Sequence, residues 1–541
     1  MRSLVVVSLV AAALLTGAAD AGRSQVSTIA AGVGPSIVAA DSARNLVFVT
    51  SVRSNTIAVL DGSTRAVTAT ITRPPGGMGV ALAVDPAAGR LYDLDGALDQ
   101  LLVWDETTHA LLERWPVPPG PKGVAVDPTA GRAYVTSAAG GVGLFTSLDL
   151  SSGTKVTARP VGTDPRGVAV DPTTGLVWVA DAATQIVYVV DPKSGLETNY
   201  FPVADGAFAV AIDPRPGATR VWVAGGRGVT LILPARNMLA GTAGTGGAVA
   251  SVAVDTATGL AYAVTPAAAP AKGTLAVVEQ SPKGNPVVDE RVPVGALPLG
   301  VGVDLYNSRV FVANAGADPD PGSVSAVSEF QPLTHGFHFP NAFTGKAGGG
   351  FDLAATPFGL SGGMVYAALD TFDLGWRAPP DTKPPATGPV RDYLAKREVE
   401  GLGAQSSALV KRFHLWQGYP SSGPTGLPQR SLGEFRRVLQ PKLDKGVPVP
   451  VGVVRAAAGR PVWENREVLA TGYFHSADQW VLELYDPAAP NRTVYLFTGT
   501  LRETARPDGT GPIGKPWRGF FAIQNYTRST PPWAPPAPAA G

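Results

Sequence analysis

The 541-residue chain has no cysteine. That absence removes disulfides, thiolate metal sites and a cysteine nucleophile together. Charge is also scarce: charged residues make up 16%, with 44 Lys and Arg against 43 Asp and Glu. No basic run marks the chain for strong nucleic-acid or anionic-membrane binding. Histidine occurs only at His109, His335, His338, His414 and His475, which leaves few imidazoles for metal ligation or base catalysis. Beyond the N-terminus no apolar run is long enough to span a bilayer. What the chain has in quantity is Gly (64) and Pro (50), a mixture that suits many short strands joined by tight turns.

The N-terminus reads as a signal peptide over residues 1–21. Arg2 precedes an apolar stretch at 4–15, and Ala19-Asp20-Ala21 forms a small-x-small cleavage site before Gly22. The apolar stretch is shorter than the ~20 residues of a membrane helix. The expectation is a secreted or extracytoplasmic protein with no membrane span after cleavage.

Residues 22–330 form one unit, and from residue 33 to about 330 they carry a repeat. Its clearest copies are Gly123-Val-Ala-Val-Asp127-Pro128, then Gly131 and Tyr134-Val135, and Gly167-Val-Ala-Val-Asp171-Pro172, then Gly175 and Trp178-Val179. An aspartate marks each copy: Asp41, Asp85, Asp127, Asp171, Asp213, Asp255 and Asp304, spaced by 44, 42, 44, 42, 42 and 49 residues. Seven copies at the length of a four-stranded blade predict a seven-bladed β-propeller. Small apolar residues suit the crowded strand nearest the axis. Asp-Pro-x-x-Gly suits a tight turn, because Asp bonds the backbone ahead, Pro fixes φ and Gly takes φ > 0. The following strand supplies an aromatic (Phe48, Tyr92, Tyr134, Trp178, Trp222, Tyr262, Phe311) to pack between blades. The seventh copy ends without a fourth strand, and residues 24–30 are strand-like without the three strands before them. They are therefore predicted to close the ring and hide its edges. Tyr134-Val135-Thr136-Ser137, Phe48-Val49-Thr50-Ser51 and Phe311-Val312-Ala313-Asn314 make this region resemble the YVTN-type propellers, relatives of the NHL and lactonase-like propellers. The resemblance implies the fold and leaves the activity open.

Loops entering the innermost strands should line one channel mouth. They carry Ser36, Met78, Lys122, Arg166, Phe208, Ala250 and Pro298. Lys122, Arg166 and Phe208 are the candidate binding residues. No carboxylate cluster for a metal-dependent lactonase falls there, and neither a metal nor a cofactor is expected.

After Phe330 the rhythm changes. Amphipathic helices are predicted at 361–374, 388–402, 404–416 and 431–443, then strands at 447–455, 468–474, 480–485, 493–497 and 517–523, the order of an α+β domain. Ser361 opens a helix after a Gly-bearing loop, where free N–H groups and the helix dipole favour an anion. Arg466 and Asp486 lie on successive strands whose connecting turn centres near residue 476. Gly359-Leu360-Ser361-Gly362-Gly363-Met364, Asn465-Arg466-Glu467-Val468-Leu469 and Tyr485-Asp486-Pro487 make residues 331–528 resemble a bacterial papain-like domain reading Gly-Leu-Cys-Gly-Gly-Met, Asn-His-Gln-Val-Leu and Tyr-Asp-Pro-Asn. The resemblance implies a nucleophile, base and orienter at Ser361, Arg466 and Asp486. Cysteine and histidine are both replaced. Arginine stays protonated and cannot act as a base, so the triad reads as degenerate, with Arg466 and Asp486 an ion pair in the old site. His335 and His338 are the histidines that an early loop could bring toward Ser361. Residues 529–541, rich in proline, are expected to be an extended, disordered tail.

The sequence thus predicts an all-β seven-bladed β-propeller followed by an α+β papain-like domain. The favoured function is an exported binding or scaffold protein, its pseudoenzyme domain recognising an extracytoplasmic protein, peptide or glycan. A serine hydrolase using Ser361 is an alternative, as is a lactonase-like or DNA-binding propeller.

Overall fold

The computed structural model describes residues 24–533, apart from 216, 268–270, 344–358, 403–407, 477–478, 508 and 525. The predicted signal peptide and residues 534–541 of the tail therefore lie outside the described residues.

Each of the first six sequence repeats forms one four-stranded antiparallel sheet with its strands in chain order from the axis outward. In the third blade these are Pro121–Asp127, Arg132–Ala139, Val142–Asp149 and Lys155–Pro160. The seventh sheet is completed by the first strand of the chain. Ser24–Ile29 runs antiparallel to Ser323–Glu329, from the pair Ser24↔Glu329 to the pair Ile29↔Val324. The protein is a seven-bladed β-propeller closed by its own N-terminal strand.

The repeat residues explain why the ring holds. Every repeat aspartate is buried and ends an inner strand, except Asp171, which directly follows the strand ending at Val170. Six of them accept hydrogen bonds from backbone N–H groups ahead, such as Asp85 from Ala87 at 2.9 Å, Asp255 from Ala257 at 2.8 Å and Asp304 from Tyr306 at 3.0 Å. Asp213 instead accepts from Arg215 Nε at 2.8 Å. The second-strand aromatics each join an apolar cluster shared with the next blade. Phe48 meets Leu91 and Trp104, Trp178 meets Val210 and Val221, and Phe311 of the last blade meets Val47 and Val49 of the first. Seven such joints close a circle. The innermost strands approach so tightly that a Cβ on Gly300 would strike the Ser36 carbonyl of blade one.

The second domain is an antiparallel seven-stranded sheet preceded by helices. At its centre, Arg466–Ser476 pairs with Gln479–Tyr485; Val449–Val454 and Gly519–Ala522 extend one side, and Thr493–Phe497 the other. Helix Ser361–Leu374 packs against this hairpin and is buried from Ser361 to Phe372. A helix buried all round need not be amphipathic, which suits its Gly and Ala content. The predicted helix at 431–443 begins earlier, at Leu427, and continues as one π-helical turn at Phe435–Leu439 before Gln440–Leu443. Leu427-Pro428 places proline in the first turn, where its missing N–H costs nothing. Two short edge strands, Arg502–Thr504 and Pro512–Ile513, have too little periodicity to be read from sequence.

The domains meet on the propeller face formed by the aspartate turns. Phe330 packs its ring against His335, Phe372 and Tyr485 at centroid distances of 5.3, 5.7 and 5.6 Å. The fully buried Arg309 donates to the carbonyls of Gly62 and Ser63 at 2.7 and 2.5 Å. It also lies where a Cβ on Gly375, the left-handed C-cap of the Ser361 helix, would stand. Residues 529–533 are engaged rather than loose: Ser529 N donates to Asp370 at 2.8 Å, and Trp533 stacks edge-on against Tyr393 and Phe337.

Candidate functional site

The propeller mouth lies at the opposite ends of the inner strands from the second domain. Lys122 is the second residue of the strand that Asp127 ends. A cavity of about 300 Å³ is lined by Ser36, Lys122, Arg166, Phe208 and Ala250 among others. Val80 and Leu299 line it in place of the predicted Met78 and Pro298. The inner strand of blade two starts at Gly79, one residue past Met78, and Met78 is exposed outside this cavity. Arg166 pairs with Asp164 at 2.9 Å and sits 5.8 Å from the Phe208 ring centroid, while Lys122 is exposed. Among the described residues no three His, Cys, Asp or Glu side chains converge where they could hold a metal ion.

In the second domain, Ser361 is the first residue of its helix and only 8% exposed. Its Oγ accepts a long hydrogen bond, 3.5 Å, from Glu467 N. Arg466 does not point at this serine. Its Nη2 lies 2.7 Å from Asp486 Oδ2 and 2.7 Å from Glu503 Oε2, and its guanidinium carbon is 4.8 Å from the Trp517 ring centroid. The hairpin register is Leu469↔Tyr485 with a bulge between Ala470 and Gly472, so Arg466 and Asp486 are not directly opposed on the backbone. The length of the arginine side chain brings the charges together.

The sequence reading missed three carboxyl groups that define this site. Glu503 shares Arg466 with Asp486. Glu398, on the neighbouring helix Pro389–Leu402, accepts from Gly363 N at 2.6 Å and so occupies the amide-rich helix end beside Ser361. Glu467 stands where the papain-like pattern has Gln. It is buried, its Oε2 has no hydrogen-bond partner among the described residues, and its Oε1 lies 2.6 Å from where a Cβ on Gly362 would be. Glu398 is held up at about 7, chiefly by burial, with the Gly363 and Gly362 N–H groups pulling the other way. Glu467 is raised well above the usual carboxylate range by burial and by the charge of Glu398. The pair thus retains a proton near neutrality. Glu398 lay in a run of charged residues, Lys396 to Glu400, that looks like an ordinary solvated helix face. Only the tertiary fold reveals its contact.

The histidines are committed elsewhere. His335 Nδ1 accepts from Gln331 N at 2.8 Å, and burial, with help from the charges of Arg309 and Arg377, depresses its pKa to about 3. His338 pairs with Asn491 at 2.6 Å. His475 lies beside Trp480 at the far end of the hairpin.

Searches against protein families and curated proteins found no match. Among solved structures, the chain is similar to a hydrazine synthase from Kuenenia stuttgartiensis at 16% identity and TM-score 0.46, over 52% of this chain and 93% of that one. It is similar to a streptogramin B lyase at 12% identity and TM-score 0.46, over 57% of this chain and 98% of that one. The fold and its closure define the molecule as a β-propeller protein with an α+β domain at its C-terminal end. That class rests on the strand pairing itself.

Proposed function

We propose that this chain is an exported binding protein. The propeller is its rigid platform, and the second domain is a degenerate papain-like module recognising an extracytoplasmic protein, peptide or glycan. The observation that carries this reading is the clamping of Arg466 between Asp486 and Glu503, which leaves a permanently charged donor at the base position. Glu398 supports it by filling the helix-end amides that would otherwise stabilise an oxyanion. A carboxylate there opposes the negative charge that acyl transfer develops. The propeller mouth, with Lys122, Arg166 and Phe208, is open on the face away from this domain and available to a second ligand.

Incubation of the protein with a random peptide library at neutral pH tests the reading by mass spectrometry. The expected result is co-elution of a subset of peptides with no new termini. Cleavage that disappears in Ser361→Ala would favour the serine hydrolase instead.

A further inference from the structure

A cavity of about 790 Å³ in the second domain lies away from Ser361. Helix Ala408–Gln417 forms one wall and helix Leu427–Glu434 with its continuation forms the other. The walls bring together Lys411, Arg412, Arg430 and Arg437, against the single carboxylate of Glu434. Glu434 is already spent: it accepts from Arg412 at 3.0 Å, Arg437 at 2.8 Å and Ala522 N at 3.2 Å. Lys411 is exposed and makes no hydrogen bond or ion pair among the described residues. Arg430 is held in place: its Nε donates to Thr425 O at 2.9 Å and its guanidinium lies 3.7 Å from the Tyr419 ring centroid. Leu415, 57% exposed, adds an apolar surface along the same groove.

Fixed cations around an apolar and aromatic floor recognise an anion attached to an apolar body. A neutral glycan would leave the cations unused. A polynucleotide would need a basic track longer than one groove. The volume is that of a ligand pocket rather than of a single-ion site. We propose that this groove binds a peptide segment in which acidic residues alternate with aromatic or aliphatic ones. The inference rests on the reading of the second domain as a recognition module and names its ligand class.

Gly433 supplies a clean test, because a Cβ there meets nothing within 4 Å, so Gly433→Phe fills the groove without a clash at its root. Binding of a fluorescein-labelled Glu-Phe repeat peptide to the full chain is measured by anisotropy. A Lys-Phe repeat and a single-stranded oligonucleotide of matching charge serve as comparators. The Glu-Phe peptide is expected to bind in preference to both. Lys411→Glu should weaken it at least about tenfold, and Gly433→Phe should abolish it. No binding, equal binding by both variants, or preference for the oligonucleotide would overturn the groove assignment. Equal binding by the variants would leave the recognition reading standing, with its site elsewhere. Cleavage of the peptide would overturn that reading instead.

Discussion

Replacing Arg466 with alanine is expected to destabilise the second domain by about 3–5 kcal/mol, the usual cost of leaving a buried ion pair with one partner missing. The effect is large because one guanidinium serves two carboxylates, Asp486 and Glu503, each 1% exposed. The loss should depend on pH. Burial holds Glu503 at about 7 even with Arg466 present, above its ordinary value of ~4.3. Between those values the folded protein keeps a proton that the unfolded chain has released, so stability falls as pH rises through this range. Without Arg466 both carboxyls are pushed higher still, and the fall continues to higher pH. Urea unfolding at pH 5 and pH 8 should therefore show a small deficit at pH 5 and the full deficit at pH 8. Arg466→Lys should lie between, since it keeps the charge but loses the planar fork. A variant as stable as the parent at pH 8 would mean that the clamp contributes nothing.

Removal of the closing strand should be equally damaging. A chain beginning after Ile29 loses the whole ladder to Ser323–Glu329 and exposes that strand as an unpaired edge rich in valine and serine, a template for association. The truncated chain is expected to aggregate, or to melt at least about 10 °C lower. Size-exclusion chromatography and thermal circular dichroism read both outcomes. Ile29→Asp tests the same joint with the chain intact, because Ile29 packs against the cluster joining Phe311, Val324 and Val49. A monomeric truncation with unchanged melting would show that the ring does not depend on its clasp.

The propeller was legible in the sequence because each blade repeats its own local chemistry. An aspartate turn, a small-residue inner strand and an aromatic second strand recur at nearly constant spacing, and each feature acts within a blade or on the next one. The helix at Ser361–Leu374 was placed correctly, although it is buried all round rather than amphipathic, and the central hairpin was legible from the alternation of its strands. The site was less so. The meeting of Arg466 and Asp486 follows from the hairpin, but Glu503 reaches Arg466 from a three-residue strand, and Glu398 reaches the Ser361 helix end from a separate helix. Such contacts between distant segments leave no periodic signal. The close approach of these helices is set by Gly363, where a Cβ would strike the Leu394 carbonyl.

The propeller mouth and the second domain lie at opposite ends of the inner strands. The aspartate-turn face carries the second domain through Phe330, Arg309 and Gly375, while the opposite mouth stays open around Lys122 and Arg166.

The central claim, that no base activates Ser361, is tested most directly by exposing the intact protein to a fluorophosphonate probe, with Ser361→Ala as control. The account predicts no label on either protein and similar stability for both. Labelling of Ser361 that disappears in the alanine variant would contradict it, since it would require a group that accepts the serine proton.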